Sequence, residues 1–168
     1  FSDTANQLRV VRRLEEKDQV RVVRSAVDLR AIVTVPGVSA MPGALMAIEG
    51  ADALDGKLEH LGAFHELGVR MITLVHERDN ELGFNQRSGT DGPLTAFGRQ
   101  VVERMNELGM LVDAAHAKTE TLRSMVAASA RPIIDSHTSP ILPNEDRQPS
   151  RRLRTWQEME WIAKTGGV

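Results

Sequence analysis

Four short apolar runs in this sequence each stop on a side chain able to hold a metal ion or transfer a proton. Residues 45–48 lead to Glu49, 71–75 to His76, 110–115 to His116 and 132–136 to His137. Carboxylate oxygen and imidazole nitrogen are ligands that a zinc-like ion accepts at about 2 Å, and side chains at adjacent strand ends can converge to that distance. One polar residue after a strand is ordinary. Four at corresponding ends point to one shared site, because parallel strands of an α/β fold open on the same face.

His116 and His137 form the best pair, since they end consecutive runs separated by one short helical stretch. Metal binding and two structural histidines fit that position equally well. Glu49 stands directly before Gly50; a carboxylate there is costly to bury unpaired, so it is a ligand, an ion-pair partner or a helix N-terminal residue. His76 can orient substrate, bind metal or hydrogen-bond within a loop. Asp135 lies two residues before His137 and therefore on the same strand face, where it can support a ligand, be one, or pair with an arginine. Asp113 carries a weaker signal. His60 and His65 fall inside a helical stretch and read as surface or packing residues.

Residues 147–154 hold four arginines. They can grip a carboxylate through bidentate hydrogen bonds, and a solvated cluster at a helix start is the alternative. The Gly-rich segment 83–92 has neither a Walker lysine nor a dinucleotide fingerprint, which leaves a lid over a site or an inert surface loop.

The elements that must position these residues alternate along the chain. Short β-branched or apolar runs at 20–24, 45–48, 71–75, 110–115 and 133–134 predict strands. Between them, Leu54, Leu58, Leu61 and Phe64 recur at helical spacing before Gly68, and Thr95 caps a stripe of Phe97, Val101, Met105 and Leu108 that stops at Gly109. Thr119 opens a helix with Leu122, Met125 and Val126 inward, broken by Pro132. In the last helix Thr155 and Glu158 fit a capping box, Trp156, Met159, Ile162 and Ala163 form the apolar face, and Gly166 ends it.

Five strand-helix units result, with Val168 where a sixth strand should start. Continuous apolar strands joined by helical crossovers predict a (β/α)8 barrel or an open doubly wound sheet, and polar chemistry at several strand ends favours the barrel. Such a barrel takes about 250 residues, so the expected architecture is a partial one, with about five of eight units present in a single incomplete domain spanning 1–168.

Composition narrows the function. With 168 residues, 41% of them hydrophobic and 26% charged, the chain is ordinary globular stock. A net charge of −2 with dispersed Lys and Arg gives no footprint for nucleic acid, and no apolar run approaches the roughly 18–20 residues that span a bilayer. There is no cysteine, so a metal would need His, Asp and Glu. The chain opens on Phe1 without a charged-then-apolar leader and reads as an excised piece, with the cytoplasm as the default location.

Several linked motifs resemble one family. Ile48-Glu49-Gly50, Leu67-Gly68-Val69-Arg70 before Thr73-Leu74-Val75-His76, Leu94 to Arg99 leading into Met105 to Met110, Val112-Asp113-Ala114-Ala115-His116, and Asp135-Ser136-His137-Thr138-Ser139 look like the membrane (renal) dipeptidase family, the M19 zinc peptidases. The resemblance runs from about Val20 to Val168. It implies a (β/α)8 barrel of the metal-dependent amidohydrolase kind, with two zinc ions activating a bridging water to hydrolyse small dipeptides. By motif, it makes Glu49 the carboxylate bridging both metals and His116 and His137 the remaining protein ligands of the second metal. It matches His76 to the histidine that contacts substrate and polarises the scissile carbonyl, and Arg152 to the arginine that grips the substrate's C-terminal carboxylate. Homo-oligomerisation is compatible with it.

The departures from that family are equally specific. Its first metal takes a His-x-Asp pair, but the residues two beyond the five histidines are Gly62, Leu67, Arg78, Lys118 and Ser139. The family's late-strand proton-transfer aspartate is also not matched. The expectation is therefore that the parent protein is a dipeptidase, while these residues alone keep at most one well-ligated zinc site and are inactive in isolation. The alternatives are a non-catalytic metal- or ligand-binding barrel and a hydrolase of another small amide.

Overall fold

The computed structural model describes residues 1–33, 41–141 and 153–168. In chain order the elements are α1 (Ser2–Glu16), β1 (Arg21–Val22), α2 (Ala26–Val33), β2 (Gly43–Ala44), β3 (Met46–Glu49), a 3₁₀ turn (Ala51–Leu54), α3 (Glu59–Leu67), β4 (Val69–Thr73), α4 (Ala96–Leu108), β5 (Leu111–Asp113), α5 (Thr119–Ala128), β6 (Ile133–Ile134), β7 (Ser139–Pro140), β8 (Leu153–Arg154) and α6 (Trp156–Lys164).

Strands β3, β4, β5 and β6 form a parallel sheet in strict sequence order. Its successive helices also touch one another, α3 on α4, α4 on α5 and α5 on α6. A doubly wound sheet reverses strand order and sends helices to both faces; the unreversed order here keeps the helices in one layer, as in an arc of a barrel wall. The core lies between the two layers. Ile48, Val69, Ile72, Val112 and Ile133 from the strands meet Leu61 and Phe64 of α3, Val101 and Met105 of α4, Leu122 and Met125 of α5 and Ile162 of α6, all buried.

Local chemistry sets the boundaries. Thr95 caps α4 by accepting from the Gly98 amide, and α3 and α4 end on Gly68 and Gly109 in the left-handed region that glycine adopts without Cβ strain. The capping box of α6 is complete: the Glu158 amide donates to Thr155, and the Thr155 amide to the Glu158 carboxylate. Beside β6, the Asp135 amide donates to the Val168 carbonyl at 2.8 Å, where a further strand was expected to begin.

Three sequence expectations need adjustment, and two helices lie outside them. The helical stretch from Leu54 is two pieces, a 3₁₀ turn and α3, because Asp55 and Gly56 take positive φ angles between them. The run at 20–24 pairs with Gly43–Ala44 instead of joining the main sheet. Its outward amide, Val22 N–H, is taken by the Glu15 carboxylate, which also forms a bidentate pair with Arg24 at 2.6 and 2.7 Å. That guanidinium holds Glu15 below the usual carboxylate range. Helices α1 and α2 carried no sequence expectation. Finally, only Ile162 of the expected apolar face of α6 is fully buried; Trp156 and Ala163 are exposed on an open cleft beside Met159 and Val168, while Trp161 packs on the core.

Among the described residues no helix is long and apolar enough to cross a membrane.

Candidate metal centre

One row of the sheet places the site. Glu49, Thr73, Asp113 and Ile134 are successive partners across β3, β4, β5 and β6. Glu49 stands on this row, and His76, His116 and His137 each follow their strand's row residue by three positions. Parallel strands in register thus deliver all four side chains to one end of the sheet. The expectation of a shared site rests on four apolar runs that each end on one of these residues, and the structure brings the four together.

Glu49 Oε1 is the focus. It lies 3.0 Å from His116 Nε2, 3.1 Å from His137 Nε2 and 3.4 Å from His76 Nε2. The two Nε2 atoms of His116 and His137 are 2.8 Å apart, with their rings at 63°. Ligand atoms about 2 Å from a tetrahedral ion are separated by roughly 3.3 Å, so these spacings suit one cation's coordination shell. An all-nitrogen-and-carboxylate set also suits zinc, as imidazole and carboxylate are among its ordinary ligands.

Two overlapping groups can be drawn within the cluster. The ligand atoms of Glu49, His76 and His116 all lie within 4.8 Å of one another, whereas His137 makes the shorter approaches to Glu49 and His116. Glu49 and His116 belong to both groups. His76 is also turned toward Glu77 Oε1 at 3.4 Å, and Glu77 is held by Arg87 at 2.6 Å.

His116 is held in an uncommon conformation, φ +64°, at the turn after β5. Histidine is among the residues that enter this left-handed region, though at a cost to any residue with a Cβ. The Gln86 amide donates to the His116 carbonyl at 2.7 Å, and the Ala117 amide to the Ala114 carbonyl. The loop that could be a lid is thus packed against this turn. It is fixed further by Ser88 Oγ donating to Asp79, Lys118 Nζ to the Ser88 carbonyl and Asn85 to the His76 carbonyl.

The remaining candidates separate by position. Asp135 is an ion-pair partner: Arg154 Nε donates to its Oδ2 at 2.6 Å, with the two side chains 3% and 1% exposed. Arg154 also donates to the Ala114 and Ala117 carbonyls, flanking His116. Arg152, together with Arg147 and Arg151, lies outside the described residues. His60 packs away from the site with Nδ1 at 2.8 Å from the Leu54 carbonyl, and burial together with Arg70 lowers the pKa of His65 at the end of α3. Asp113 has a larger place in the site than its weak sequence signal indicates. It is fully buried beneath the cluster and hydrogen-bonds to Thr73 and Ser136. Its place in the row three residues before His116 was the available sequence signal.

The family model for membrane dipeptidases, peptidase family M19, matches residues 1–168. Dipeptidase 3 of Rattus norvegicus is 33% identical over 135 residues, 75% of this chain and 28% of its own length. An uncharacterised dipeptidase of Schizosaccharomyces pombe is 33% identical over 172 residues, 99% of this chain and 40% of its own. The chain therefore spans less than half the length of these relatives. An amidohydrolase crystal structure from Pseudomonas aeruginosa superposes with a TM-score of 0.87 at 27% identity, over 100% of this chain and 50% of that one. A metallopeptidase from Rhodobacter sphaeroides, crystallised with a phosphinate mimic of the dipeptide L-Ala-D-Ala, gives a TM-score of 0.82 at 25% identity, over 98% and 46%. With these neighbours, the α/β arc of parallel units is part of a (β/α)8 barrel of the amidohydrolase kind.

Proposed function

The chain belongs to the membrane dipeptidase family, and from that premise we propose that the protein carrying it hydrolyses dipeptides at a zinc centre held by Glu49, His116 and His137. The observation that carries this reading is the approach of three imidazole nitrogens to a single oxygen of Glu49. A divalent cation bound there supplies a Lewis acid and lowers the pKa of a water toward neutrality.

The chain's own residues divide the remaining work. Glu49 brings the negative charge that balances a cation, and as a carboxylate with two oxygens it can serve two metal positions. His116 and His137 offer Nε2 from rings set at an angle, and so approach one point from different sides. His76, 31% exposed beside them, presents Nε2 to a bound peptide; donating a hydrogen bond to the scissile carbonyl oxygen stabilises the charge that develops there. Arg152 is proposed, on the family motif alone, to hold the substrate's C-terminal carboxylate. No histidine in the chain is followed two residues later by aspartate, so we propose that these residues provide one well-formed zinc site.

The test, made on the full-length protein that carries this chain, is a zinc titration paired with hydrolysis of Ala-Ala, L-Ala-D-Ala and an N-acylated amide. Tight zinc binding with dipeptide turnover, both lost in Glu49→Gln, is the expected result. Zinc binding without turnover of any of the three indicates a binding barrel, and turnover confined to the acylated amide indicates another amidohydrolase; either overturns the dipeptidase reading.

A further inference from the structure

Beneath the cluster, a single buried carboxylate joins three of the strand ends that carry it. Asp113 accepts four hydrogen bonds: from Thr73 Oγ1 at 2.5 Å and Ser136 Oγ at 2.8 Å on Oδ2, and from the Ala115 and Ser136 amides at 3.1 and 3.0 Å on Oδ1. Thr73 precedes His76 by three residues, Ala115 directly precedes His116, and Ser136 directly precedes His137. Four donors use the full accepting capacity of a carboxylate, which offsets the cost of burying it with no cationic partner among the described residues.

This saturation sets the direction of the next bond. Ser136 Oγ lies 2.8 Å from His137 Nδ1 as well as 2.8 Å from Asp113 Oδ2. A hydroxyl has one proton, and the carboxylate can only accept, so that proton goes to Asp113. Ser136 then accepts from His137, which places the imidazole proton on Nδ1 and leaves the Nε2 lone pair facing Glu49 and His116. A ring ligand whose other nitrogen donates to a fixed acceptor is held in both orientation and tautomer.

We infer that Asp113 is the positioning residue of the metal centre, acting through Ser136 to hold His137 as an Nε2 ligand and through the Ala115 amide to fix the turn that presents His116. The inference rests on the metal-centre reading above. It concerns residues that touch neither substrate nor metal.

The experiment measures zinc affinity of the full chain by competition with a chromophoric chelator in wild type, Ser136→Ala, Ser136→Thr and Asp113→Asn. It also reads the His137 tautomer of the metal-free protein by long-range ¹H–¹⁵N correlation. We expect Ser136→Ala to lose about 10–100-fold in zinc affinity while keeping a native circular-dichroism spectrum, and Ser136→Thr to recover it. The His137 signal should shift from the Nδ1–H form to a mixture in Ser136→Ala and in Asp113→Asn. If Asp113→Asn does not fold, the two Ser136 variants decide the question. A zinc-binding wild type matched by Ser136→Ala, with an unchanged tautomer, overturns the positioning inference alone. A wild type that binds no zinc overturns the metal-centre reading and this inference with it.

Discussion

His116 Nε2 and His137 Nε2 stand 2.8 Å apart, 21 residues from each other in sequence, with Glu49 Oε1 within 3.1 Å of both. Two imidazole nitrogens at that separation hold a shared proton or a cation between them, since two bare lone pairs repel. The metal-centre reading proposed above assigns the cation.

His76 is the member of the cluster whose role divides the two groupings. If it faces substrate, His76→Gln keeps the zinc affinity of wild type while turnover falls about 10²–10³-fold, the usual effect of losing one donor to a developing oxyanion. Glu49→Gln should lose both. Parallel chelator-competition and steady-state measurements check this, and a loss of zinc affinity in His76→Gln would make His76 a ligand.

The buried pair of Arg154 and Asp135 ties β8 to the end of β6, with both side chains almost entirely shielded from water. Arg154→Met strands a buried carboxylate and should lower unfolding stability by about 3–5 kcal/mol. Arg154→Met combined with Asp135→Leu should recover only part of that loss, because the hydrophobic pair has no charge to desolvate while the Ala114 and Ala117 carbonyls still lose the donors Arg154 gave them. Urea unfolding of the two variants provides the comparison.

Glu15 is held below its usual pKa by its hydrogen bonds to Arg24, with the Val22 amide adding to the effect. A carboxylate with a depressed folded-state pKa gives stability that is fully present above its unfolded value, near 4.5, and is lost as pH falls through the folded value. Thermal melts from pH 7 to pH 3 should therefore show a shallower acid-side loss for Glu15→Gln than for wild type.

The left-handed backbone of His116, φ +64°, disfavours any residue with a Cβ. His116→Gly should be about 1 kcal/mol more stable than His116→Ala, although both lose the imidazole. Equal stabilities in chemical denaturation would show that this turn carries no strain.

The sequence by itself determined which atoms were available for chemistry and where along each strand they would stand. Apolar runs ending on Glu49, His76, His116 and His137, with no cysteine, defined a nitrogen-and-oxygen donor set at parallel strand ends, because alternation of strand and helix is a local pattern. The caps at Thr95, Thr155, Gly68 and Gly109 were legible for the same reason: each satisfies backbone groups within a few residues. Tertiary structure alone decided the relationships between distant residues. Glu49 and His116 are 67 residues apart and meet only because β3, β4 and β5 pair in register. The same pairing set Thr73 against Asp113, and burial then made Asp113 the residue on which the strand ends converge. For Asp135, a ligand and an ion-pair partner were alike in sequence, and the guanidinium of Arg154 packed 2.6 Å away distinguished them. Spacing along a strand fixes which face and which end a side chain occupies; only packing fixes what lies across from it.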